Sequence, residues 1–174
     1  MADKTLHIKF FAGIDANTIK QLMEVVDRGV REAVTRFVIL ISSTGGTVFH
    51  GLSAYNFLKG IPAQVITHNF GSVDSIGVVL FCAGSQRLSV PHARFVLHAV
   101  SAQFPQPTSL EEKQLEERLK GLKIDIENIA GVIAATTGKP EQDVVQAMLD
   151  RTTLNPEQAV RYGLVHGIRE ALFD

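Results

Sequence analysis

Tryptophan is absent from this chain of 174 residues, cysteine occurs once, and neither sign of charge prevails, with 17 Lys and Arg against 18 Asp and Glu for a formal net charge of -1. A single cysteine, Cys82, excludes an intrachain disulfide and a cysteine-based zinc cluster, and points to a reducing compartment. The evenly mixed charges give no basic footprint for nucleic acid and no cationic face for a membrane, so a small or peptide substrate is the better expectation. No apolar run reaches the roughly 18 residues of a spanning helix, and Met1 to Phe11 lacks the pattern of an export signal; a cytoplasmic location is expected. The six histidines, His7, His50, His68, His92, His98 and His166, form neither a His-x-x-x-His nor a His-Glu-x-x-His pattern, which leaves a metal or other cofactor without support. With 45% hydrophobic residues, the chain is expected to form one domain over residues 1–174 and to bury roughly 70% of its unfolded surface.

What is present is an alternation of apolar β-rich runs with amphipathic ones, as in a parallel or mixed sheet covered by helices. Leu6 to Phe11 reads as a strand. Asp15 is placed to cap a helix with Ile19, Leu22, Met23, Val26 and Val30 on one face. Phe37 to Ser42 reads as a buried strand, and Thr44-Gly45-Gly46-Thr47 turns into a helix with Val48, Leu52, Tyr55 and Leu58 inside. Strands are then expected from Gln64 to about His68, around Arg87 to Ser89, and from Arg94 to His98. Ser109 to Thr136 carries a helical stripe of Leu115, Leu119, Leu122, Ile126, Ile129 and Ile133. Some 25 residues span about 40 Å at 1.5 Å per residue, so this helix is expected to project and pack on another subunit. A short helix to Asp150, the segment Asn155 to Tyr162 and an apolar run from Leu164 to Ile168 complete the reading.

Chemistry concentrates at two turns. Gly71-Ser72-Val73-Asp74-Ser75-Ile76-Gly77 follows a strand and opens an apolar helix, so Ser75 is the candidate nucleophile: free N–H groups at a helix start favour the anion formed when serine attacks a carbonyl. Ser75-Ile76-Gly77 supplies half of a hydrolase elbow, with Val73 where glycine would stand, and the spacing alone also suits a helix cap. The N–H groups of Gly46 or Gly45 and of Ile76 are candidates for an oxyanion hole, although a Gly-Gly pair between strand and helix is also ordinary turn chemistry. Serine needs a base, and His98 and His68, both at strand ends, compete for that role. Asp74 reads as a helix N-cap, and Cys82 as packing.

Three ordered blocks, Ile41-Ser42-Ser43-Thr44-Gly45-Gly46-Thr47-Val48, Gly71 to Gly77, and Arg94-Phe95-Val96-Leu97-His98, resemble the proteolytic subunit of the Clp protease. The likeness continues into Glu157-Gln158-Ala159-Val160-Arg161-Tyr162-Gly163-Leu164-Val165. It implies an α/β chain of the ClpP/crotonase type, a layered β-sheet core flanked by helices with a long handle helix, the handle region covering about 101–137. It further implies a serine peptidase acting on peptides or unfolded proteins, with Ser75 as nucleophile, His98 as base, and Gly45, Gly46 and Ile76 in the oxyanion region. The family's handle interlocks two stacked rings of seven subunits around a chamber, so a homo-oligomer is expected.

The chain departs from the family pattern in three places. Counted without gaps, the family's catalytic aspartate falls on Arg151, with Asp150 one position early as the third candidate; a carbonyl or hydroxyl substitute near Thr152 to Asn155 is the other possibility. Losing the carboxylate of a serine triad can cost about 10⁴ in turnover. The first strand begins near Leu6 without the longer segment that faces an ATPase in the family, so a Clp-type ATPase partner does not follow from the resemblance. Ser101-Ala102-Gln103-Phe104-Pro105-Gln106-Pro107 replaces a glycine-rich strand, and its prolines cannot donate ladder hydrogen bonds to a peptide. These departures support a catalytically weak or inactive assembly subunit as the alternative. A crotonase-like acyl-CoA enzyme, which shares a two-amide oxyanion site, is the third.

Overall fold

The computed structural model describes residues 4–101 and 109–173. Residues 102–108 of the expected 101–137 region, Pro105 and Pro107 among them, lie outside the described residues. Thr5–Phe11 (β1), Arg36–Ser43 (β2), Gln64–Asp74 (β3), Gln86–Ser89 (β4) and Gly167–Ile168 (β7) form a parallel sheet in the order β1-β2-β3-β4-β7. Arg94–Val96 (β5) joins β3 in parallel, and Thr153–Leu154 (β6) pairs antiparallel with β5. Between these strands lie the helices Ala16–Arg31 (α1), Val48–Gly60 (α2), Gly77–Phe81 (α3), Glu112–Thr137 (α4), Glu141–Leu149 (α5) and Pro156–Tyr162 (α6).

Period-two alternation divides the sheet residues between two apolar clusters. On β2, Phe37, Ile39 and Ile41 enter the main core with α1, α2 and α3, whereas Val38 and Leu40 join Ile66 and Leu88 on the other face, beneath Phe70 and Leu172. Asp15 caps α1 as expected, its carboxylate accepting from the N–H groups of Asn17 (2.8 Å) and Thr18 (2.9 Å).

The structure corrects four sequence expectations. β3 does not stop near His68 but runs to Asp74: its first half pairs with β4 through Ile66 to Asn69, and its second with β5 through Ser72 to Asp74. Tertiary pairing on both sides of Val73, with Ser43 and Phe95, overrides the turn propensity of Gly71-Ser72. α2 buries Gly51, Ala54 and Leu58, while Val48, Leu52 and Tyr55 are only partly buried. Gly51 sets that face, because a Cβ there would stand 2.3 Å from Cγ1 of Ile76. β5 ends at Val96, so His98 lies beyond the strand on the chain that leaves the sheet. The helix α4 starts at Glu112 rather than Ser109, and its 26 residues extend about 39 Å.

Candidate active site

Ser75 follows the last residue of β3 and holds φ +58°, a left-handed backbone that costs a non-glycine residue roughly 1 kcal/mol or more. Two hydrogen bonds keep it there: its N–H donates to the Val96 carbonyl (2.8 Å), and its own carbonyl accepts from the Val78 N–H (3.0 Å). Strand β5 thus clamps the serine from one side and the buried helix α3 from the other. Val73 stands where an elbow would carry glycine, and it can, because that position lies inside a doubly paired strand.

The two glycines of the preceding turn have separate tasks. The Gly45 N–H donates to Ser43 Oγ (3.2 Å) and its carbonyl accepts from the Ile14 N–H (2.8 Å), so its backbone is occupied. Its own requirement is space: at φ +85°, a Cβ would lie 2.6 Å from Cβ of Ser75 and 2.8 Å from the Asp74 carbonyl. Gly46, at φ +153°, approaches Ile14 so closely that a Cβ would stand 2.1 Å from the Ile14 carbonyl oxygen. Among the described residues, the N–H groups of Gly46 and Ile76 have no backbone partner. Gly46, Ser75, Ile76 and His98 line one cavity of about 480 Å³, the size of a small-ligand site.

His98 places Nδ1 2.8 Å from the Ala99 carbonyl. An imidazole with its proton on Nδ1 donates there and leaves Nε2 as the basic nitrogen, the tautomer a serine base requires. No hydrogen bond joins Ser75 to His98 among the described residues; such contacts often tighten only when substrate is bound. Asp150 is exposed at the C-cap of α5 with its Oδ1 accepting from Gln146 Nε2 (2.9 Å), and it is not among the residues that line the cavity. Arg151 is exposed at φ +54°. The competitor His68 points elsewhere, its Nε2 held 3.0 Å from the Arg169 carbonyl, and burial pushes its pKa below the ordinary histidine value.

Asp74 is not the helix cap expected from sequence. Its Oδ1 accepts from Ser72 Oγ (2.5 Å), and Arg94 meets both residues, donating Nε to Ser72 Oγ (2.8 Å) and placing a terminal nitrogen 3.5 Å from Asp74 Oδ2. The triplet ties β3 to β5 immediately before the serine. Two features of the candidate site escaped the sequence reading. The Ala99 carbonyl leaves no trace in residue type, and Asp125 lies on the cavity wall within a helix otherwise read as packing. Asp125 had one available signal, a carboxylate next to the apolar stripe at Leu122, Ile126 and Ile129. Burial alone raises its pKa above the ordinary carboxylate value. Cys82 is buried, with its thiol pushed up to about 11, which removes it as a nucleophile at neutral pH.

Compared with known proteins, residues 6–171 match the family model of the Clp protease. The chain belongs to the Clp protease family. It is 30% identical over 153 residues to the ATP-dependent Clp protease proteolytic subunit 3 of Rhodococcus jostii, covering 87% of this chain and 74% of that one. A proteolytic subunit from Deinococcus radiodurans is 32% identical over 127 residues, with 72% of this chain and 60% of that one covered. Among solved structures, a point mutant of ClpP1 from Listeria monocytogenes superposes with a TM-score of 0.86 over 95% of this chain and 91% of that one at 22% identity, which establishes the ClpP fold. The matches to proteolytic subunits do not favour the acyl-CoA reading. Among the described residues no helix is long and apolar enough to cross a membrane, and no three His, Cys, Asp or Glu side chains are grouped to hold a metal ion.

Proposed function

We propose that this member of the Clp protease family is a serine peptidase in which Ser75 attacks the scissile carbonyl. The observation that carries the reading is Ser75 itself: a non-glycine residue held at φ +58° that lines one cavity with His98 and with Gly46 and Ile76, whose N–H groups have no backbone partner among the described residues. In the first step a bond forms between Ser75 Oγ and the carbonyl carbon, and His98 Nε2 takes the hydroxyl proton. The N–H groups of Gly46 and Ile76 receive the charge on the carbonyl oxygen, an interaction worth about 10²–10³ in turnover per donor in comparable sites. The C–N bond then breaks as His98 returns the proton to the leaving amine, and water releases the acyl group by the same route. The Ala99 carbonyl, in place of a carboxylate, fixes the His98 tautomer. Being neutral, it offers the imidazolium less stabilisation than an aspartate would, so turnover is expected to be slow.

The long helix supports assembly into an oligomer around the site. Leu115 is 49% and Leu119 53% exposed on the half of α4 that leaves the core, a contiguous apolar stripe of the kind that marks a subunit contact. The test is intact mass after incubation with a fluorophosphonate. One adduct on the wild-type chain, lost in Ser75→Ala and His98→Ala, supports the peptidase. A second reading, an assembly subunit without activity, is favoured by Asp150 and Arg151 standing away from the cavity. It predicts no adduct on the assembled wild-type protein.

A further inference from the structure

The handle helix α4 contributes Leu122, Ile129 and Ile133 to the cavity lining, together with one carboxylate, Asp125. Met148 from α5 and Val100 from the chain just after His98 add to its apolar part. Apart from His98, Asp125 is the only titratable side chain among the described residues lining this space. The Asp125 carboxyl is partly buried, and loss of hydration is the one influence on it: among the described residues neither a hydrogen bond nor a cation answers its charge. An unpaired carboxylate in an apolar cavity is costly, and a substrate with an apolar side chain would strip it of more water still.

We infer that Asp125 is a specificity-determining residue, which selects substrates with arginine or lysine as the residue whose carbonyl Ser75 attacks. This inference rests on the serine-peptidase reading. A long basic side chain matches both parts of the wall: its methylene stem lies against Leu122, Ile129 and Met148, and its cationic head meets the carboxylate. Trypsin-type peptidases use the same principle on an unrelated fold, with a carboxylate in the pocket for this residue. An acidic side chain would be repelled, and a leucine would leave Asp125 desolvated and unanswered. His98 engages the Ala99 carbonyl through Nδ1, and among the described residues no ion pair joins it to Asp125.

The experiment uses the whole 174-residue chain and two peptidyl phosphonates that differ only in carrying an arginine-like or a leucine-like side chain beside phosphorus. A simple fluorophosphonate without that side chain serves as reference, and adducts at Ser75 are timed by intact mass. The wild type is expected to react with the arginine-like probe about 30-fold faster than with the leucine-like one. Asp125→Asn should bring the two rates to within a few-fold, and Asp125→Glu should restore the preference. Equal rates in the wild type, or a preference unmoved by Asp125→Asn, would overturn the assignment while fluorophosphonate labelling keeps the serine reading intact. Absence of fluorophosphonate labelling would remove the serine reading and this inference with it. Should Asp125→Asn fail to fold, the wild-type ratio and Asp125→Glu decide the matter.

Discussion

The two halves of α4 carry the same apolar stripe and meet different fates. In the C-terminal half, Ile129 and Ile133 are 6% and 1% exposed, packed among α2, α3 and α5. In the N-terminal half, Leu115 and Leu119 follow the same spacing and stand about half exposed. Periodicity therefore reports which face of a helix is apolar and is silent on what covers it. One half completes the core of its own chain, and the other is an apolar surface suited to another copy. Asp125 sits between them, where the helix leaves the core and passes the cavity.

The contrast can be broken most forcefully at its ends. Ile133→Ala should cost about 2–5 kcal/mol, read as a fall in the denaturation midpoint. Leu119→Glu should leave the stability of the single chain within about 1 kcal/mol and instead reduce the assembled mass seen by light scattering. Equal losses of stability in the two variants, with unchanged mass, would erase the distinction. A smaller effect is expected at Gly138, the C-cap of α4 at φ +74° with open space around it. Gly138→Ala strains only the backbone and should cost about 1 kcal/mol by the same denaturation assay.

The smallest effect lies at the boundary between the halves. Burial raises the Asp125 pKa above its ordinary 3.8, so the folded state binds its proton more tightly than the unfolded chain does. The contribution of Asp125 to stability is therefore complete below the unfolded value and is lost as pH rises through the raised folded one. Asp125→Asn removes that dependence. Relative to the wild type, the variant should gain stability at pH 7, and the gain should shrink toward pH 3 in paired denaturation curves.

Local signals carried most of the fold. Asp15 with its helical face of Ile19, Leu22 and Val26 was legible because it rests on side chains that act within a few residues, and the turn at Gly45-Gly46 was legible from its residue types. The misread stretches depend on distant partners. Asn69 to Asp74 is strand only because Ser43 and Phe95 flank Val73, and Asp74 faces Arg94 rather than the helix it precedes. The two-residue β6 exists because Phe95 and Val96 offer it an edge. At the candidate site, Ser75 and Gly46 could be singled out because their residue types are constrained, whereas the hydrogen bond from His98 to Ala99 uses a carbonyl that every residue possesses.

The left-handed serine has a consequence for the chain's thermodynamics. At φ +58° glycine is the residue without steric conflict, so Ser75→Gly should relieve strain of about 1 kcal/mol, partly offset by the freer unfolded chain, while deleting the hydroxyl. A subunit that served only as scaffold would lose nothing by that exchange. On the serine-peptidase proposal, that strain is the folding cost of keeping a hydroxyl at this turn.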